Sequence, residues 1–107
     1  MLGLYTISLE NAASQSKIFN YPSDKVYESL LNVLKRMGVY VPIRNRRSLK
    51  IVAMGFSRAN DTTEVGMFLK ALDAQKTQVY IASKNPNLLE RVSSQIFLEL
   101  EKDLSSG

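Results

Sequence analysis

The chain has 107 residues, a formal net charge of +4, and hydrophobic and charged fractions of 45% and 22%. That is the balance of one ordinary globular domain, with no room for a second core. It contains no cysteine and no histidine, which excludes a disulfide framework, a thiolate nucleophile, a Ser-His-Asp triad and a typical zinc enzyme.

Residues 1–16 are weakly patterned and end in the polar run "NAASQS". They read as a tether or loosely paired lead to a domain over 17–104, with 105–107 as a frayed tail. The opening "MLGLYTISLENAAS" has no basic n-region and no sustained apolar core, so it does not read as an intact signal peptide. No apolar run approaches the ~20 residues that span a bilayer.

A short strand is expected over 16–21, "SKIFNY". "YPSDKVYESLLNVLKRMG" then carries the clearest helical period. Its N-cap is expected at Ser23, with Asp24 in the first turn where a carboxylate suits the helix dipole. Val26, Leu30, Leu34 and Met37 form the buried stripe, flanked by Tyr27, Leu31 and Val33. Lys35 and Arg36 occupy the last turn, and Gly38 supplies the left-handed stop.

Beyond Gly38 the period falls to two. "VYVPIR" (39–44) puts Val39, Val41 and Ile43 on one inward face, and Pro42 marks an edge strand or a bulge because it cannot donate to a ladder. Strands follow over 49–56, 64–72 and 77–83, separated by the turn clusters "SRANDTT" and "DAQK". The last helix opens at Asn85-Pro86, a cap followed by a first-turn proline. Leu88, Val92, Ile96, Leu100 and Leu104 recur every four residues along it, widened by Leu89 and Phe97. The fold class is α+β: an antiparallel sheet of four to five strands with two helices on one face, in the order β-α-β-β-β-β-α.

The scattered glycines form no phosphate-binding loop, and "NDTTE" offers too few oxygens for a calcium cage. No catalytic, cofactor or metal residues are assigned, and a non-enzymatic role is expected. The candidate anion- or partner-binding residues are Arg44, Arg46, Arg47 and Lys50, four cations within "RNRRSLK". Guanidinium groups suit bidentate phosphate contact. A charged hairpin tip that keeps an edge soluble is the simpler reading, with Asn45 and Ser48 as its turn residues. Glu99, Glu101 and Asp103 read as a solvated face at the negative end of the last helix dipole, a mildly unfavourable placement that a basic neighbour, such as the hairpin, would relieve.

"FNYPSDKVYESLLNVLKRMGVYV", "LKIVA" and "TQVYIASKNPNLLERVSSQIFLEL" together resemble the small domains of bacterial envelope lipoproteins. The shared features are an aromatic-x-x-Pro-x-Asp-Lys-Val-aromatic helix start, a Leu-Lys-x-Met/Leu-Gly helix end and a strand that opens with Thr before the last helix. The element order is similar to the helix-grip domains of an outer-membrane assembly lipoprotein and, loosely, to the TATA-binding-protein repeat. The resemblance implies a non-catalytic accessory domain in the periplasm or cell envelope. Its partner would be another envelope protein, or a second copy through an edge strand. The acylated cysteine of such lipoproteins is missing here, so no lipid anchor is implied. Two alternatives stand beside it: a cytoplasmic nucleic-acid-binding module using the basic hairpin, and a small-ligand domain with a pocket between sheet and helices.

Overall fold

The computed structural model describes residues 12–58 and 60–106. The elements are β1 (Ala13–Phe19), α1 (Ser23–Met37), β2 (Tyr40–Asn45), β3 (Lys50–Met54), β4 (Val65–Asp73), β5 (Lys76–Ser83) and α2 (Pro86–Ser106). This is the expected α+β order. The five strands form one sheet in the order β1-β5-β4-β3-β2, with every neighbouring pair antiparallel. After β1, helix α1 carries the chain across the sheet to the far edge, and the β2–β5 meander then returns to β1.

Boundaries depart from the sequence reading at several elements, and β3 covers only Lys50–Met54 of the strand expected over 49–56. β1 begins at Ala13 and ends at Phe19, so Ala13–Ser16 belong to the sheet, while residues 1–11 of the expected lead lie outside the described residues. Ser23 is the first residue of α1, the cap position falls to Pro22, and no side-chain cap hydrogen bond forms. At the other end α2 runs on through Ser105 and Ser106, two residues expected in the tail.

The other caps follow the chemistry of their residues. Gly38 takes φ 73°, and the Gly38 and Val39 N–H groups donate to Lys35 O (3.1 Å) and Leu34 O (3.5 Å). Asn45 Oδ1 accepts from the Ser48 N–H at 3.1 Å to close the β2–β3 turn, and Asn85 Oδ1 accepts from the Leu88 N–H at 3.1 Å to start α2. Inserting Pro86 at the first helical position costs no intrahelical bond.

Strand register fixes which residues share a face. Gln15, Ile81, Met67, Ile51 and Arg44 stand side by side across the sheet on the helix-bearing side. Ile81, Met67 and Ile51 in the middle of that row are fully buried with Val26, Tyr27, Leu30 and Leu34 of α1 and Val92, Ile96 and Leu100 of α2. The core is therefore one layer between the sheet and the two helices, with Val39, Val41, Leu49 and Phe97 packed at its rim.

One expected core residue is on the wrong side. Tyr40 pairs with Met54 and Ile43 with Val52, so Val41 and Pro42 together oppose Ala53 alone. This bulge turns Ile43 to the sheet face that carries no helix, away from Val41. Pro42 is thus both at a sheet edge and in a bulge, the two places that tolerate its missing N–H.

A candidate interaction face on the sheet

The four cations singled out in the sequence do not form one patch. Arg44 shares the helix-side row with Ile51 and lies exposed at its end. The Arg46 guanidinium stacks 4.9 Å from the Tyr27 ring centroid and pairs with Glu28 of α1. Tyr27 is almost fully buried, which pushes its phenol above its ordinary pKa of 10.0, while the Arg46 and Arg44 charges pull the other way. Arg47 is exposed in the turn. Lys50 points to the opposite sheet face, its Nζ 5.8 Å from the Phe68 ring centroid. The hairpin thus divides its cations between two surfaces, and Arg46 clips it to α1.

The acidic end of α2 is answered from elsewhere. Asp103 accepts from Ser29 Oγ and, at 2.9 Å, from Arg36 Nη1, both on α1. Those donors hold its carboxyl below the ordinary value of 3.8, the Ser29 hydrogen bond contributing most and burial opposing it. Glu101 pairs with Lys17 of β1 at 3.0 Å, and Glu99 lies 3.6 Å from Lys102 on its own helix. The basic neighbours are Arg36 of α1, Lys17 of β1 and Lys102 of α2, and none of them comes from the hairpin. These contacts clasp the two helices to each other and to the sheet edge.

An open groove of about 550 Å³ lies between α1 and the edge strand β2, lined by Leu31, Lys35, Val39, Val41 and Arg44. Every buried side-chain nitrogen or oxygen among the described residues has a hydrogen-bond partner, so no orphaned polar group points into that groove. Among the described residues no three carboxylates gather as a metal site would require, and no helix is long and apolar enough to cross a membrane.

The outer sheet face is different. Ser16, Tyr80, Phe68, Lys50 and Asn45 form an unbroken row from one edge to the other. Tyr80 and Phe68 are directly opposed on adjacent strands, and both remain partly exposed. The next row runs Ser14, Ala82, Gly66, Val52 and Ile43, where Val52 and Ala82 are closed to solvent at 0% and 5% exposure. On the other side lie Ile18, Gln78 and Lys70. Two of the most exposed large apolar side chains, Tyr40 at 65% and Ile18 at 48%, share this face.

Its charge is one-sided. Asp24, Glu28, Glu90, Glu99, Glu101 and Asp103 lie on the helices, and Asp61 and Glu64 lie in the loop that leads into β4. The single strand carboxylate among the described residues is Asp73, whose Oδ1 accepts from the Gln75 N–H in the β4–β5 turn. The rows Ser16–Tyr80–Phe68–Lys50–Asn45 and Ile18–Gln78–Lys70 therefore offer aromatic, apolar, amide, hydroxyl and ammonium groups with no carboxylate among them, while Asp73, opposite Lys76, lies at the turn end of the same face. Of this row, only Lys50 stood among the sequence candidates. Phe68 and Tyr80 carry a strand period, but the sequence does not say which of the two faces is covered.

No protein-family model matches the chain, and no curated protein is detectably similar to it.

Proposed function

We propose that the protein is a non-catalytic binding domain that acts through protein–protein contacts on its outer sheet face. The observation that carries this reading is the row Tyr80–Phe68–Lys50, with Tyr40 and Ile18 exposed on the same face while the helices occupy the opposite one. Partly buried aromatics on a rigid strand framework bring contact area at low entropic cost, and interface centres are rich in them and poor in carboxylates. The resemblance of the first helix to envelope lipoprotein domains supports an accessory role in a bacterial cell envelope, with another envelope protein as the partner.

A second reading rests on the same row. Two adjacent aromatic rings flanked by Lys50 and Lys70, with no carboxylate in their own row, also suit bases stacked on a sheet. The test separates the two. Substitution of Phe68 and Tyr80 by Ser together is expected to leave the folded circular dichroism spectrum intact and to abolish capture of envelope proteins from native extract. Salt-sensitive binding of single-stranded homopolymers, lost in the same variant, would replace the protein reading with the nucleic-acid one.

A further inference from the structure

The sheet has two edges, and they differ. β2 is blunted by Pro42, by its bulge and by the Arg46 clip to α1. β1 pairs with β5 over seven residues without a register shift, from Ala13–Ser83 to Phe19–Thr77. It contains no proline, and residues 13–18 are exposed. An edge strand of that length and regularity presents a row of backbone donors and acceptors to any strand laid beside it.

We infer that β1 pairs antiparallel with β1 of a second copy, on a two-fold axis through Ser16. The sequence of the strand is self-complementary in that register. Ser16 meets Ser16, Ser14 meets Ile18, Gln15 meets Lys17 and Ala13 meets Phe19. Lys17, the one charge on the strand, faces the helix side and is already neutralised by Glu101, and an amide rather than a second ammonium stands opposite it. Phe19 and Phe97, with ring centroids 6.1 Å apart, lie near the seam from β1 and α2. At the ~4.8 Å spacing of paired strands the two α2 helices come alongside each other.

The pairing also has a consequence for the outer face. Ser16 ends the row Asn45–Lys50–Phe68–Tyr80–Ser16, so an axis through Ser16 joins two such rows into one surface across ten strands. This deepens the proposed function by doubling its surface, and its use in binding rests on that reading. The pairing itself does not.

Sedimentation of the full chain is expected to show a concentration-dependent monomer–dimer equilibrium. Ser16→Pro disrupts the strand at the axis and is expected to weaken association at least about tenfold, a loss of one seam hydrogen bond or more. Because that change also risks the β1–β5 ladder, Ser16→Cys is the second variant. The chain has no other cysteine, so oxidation is expected to link the dimer through the axis, whereas Leu98→Cys on the exposed side of α2 stays monomeric. A chain that remains monomeric, or a dimer in which Cys-substituted Ser16 does not cross-link, overturns the pairing. Cross-linking of that variant to an added extended peptide in place of a second copy overturns it as well. Protein capture sensitive to Phe68 and Tyr80 is read separately, so either idea can fail while the other stands.

Discussion

At the scale of single residues, the contacts that matter most are polar and join elements distant in sequence. Asp103 connects the end of α2 to Ser29 and Arg36, roughly the middle and the end of α1. Its carboxyl is held below the ordinary value, so the folded state binds its proton less tightly than the unfolded chain. The stability it contributes is full above the unfolded pKa, near 3.8, and is lost as pH falls through the lower folded value. Chemical melts followed from neutral pH downward are therefore expected to lose stability below about pH 4, and Asp103→Asn is expected to flatten that part of the curve. An unchanged acid limb in the variant would assign the acid sensitivity to other carboxylates. Ser29 and Asp103 lie far apart in the chain, and nothing in either local sequence names the other. The crowding of acids at the end of α2 is the legible sign, and it shows the need for a cation without its source.

At the scale of elements, the helix faces and the strand count are legible, because apolar residues every three to four positions line up into one buried stripe only on a helix. Leu88, Val92, Ile96, Leu100 and Leu104 are all buried. The ends of elements are legible where one residue has special backbone chemistry. Gly38 at φ 73° has open space where a Cβ would stand, so Gly38→Ala meets no clash and bears only the strain of the left-handed backbone. That cost is expected to be about 1 kcal/mol in a urea melt, and a neutral substitution would show that the helix end relaxes to another cap. Other boundaries are less visible for physical reasons. β1 is an exposed edge made of "ASQSKIF", so burial imposes little alternation on it. In β2 the bulge adds a residue and reverses the facing of everything beyond it. Pro42 announces an irregularity, but nothing in the sequence says that Ile43 crosses to the other side. Leu49, expected in a strand, instead closes the turn at φ 55°, with its carbonyl accepting from the Leu69 N–H at 3.0 Å.

At the scale of the whole molecule, the fold separates two kinds of surface. The helix layer carries most of the acids and the clasping ion pairs, and it buries one side of the sheet. The other side presents Tyr80, Phe68 and Lys50 in a row with exposed Tyr40 and Ile18 nearby. The basic hairpin, the most conspicuous stretch of the sequence, is shared between these sides: Arg46 is taken up by Tyr27 and Glu28, and Lys50 joins the aromatic row. The hairpin stands out in the sequence because charge is visible residue by residue, whereas a flat aromatic row exists only once strands are in register. The proposed function requires that this outer face, and not the helix layer, meets the partner. A photo-crosslinking side chain placed at Phe68, compared with one at Leu98 on α2, tests it in cells producing the protein. A discrete protein adduct is expected from position 68 and none from position 98, whereas adducts from position 98 with none from position 68 would place the partner on the helices instead.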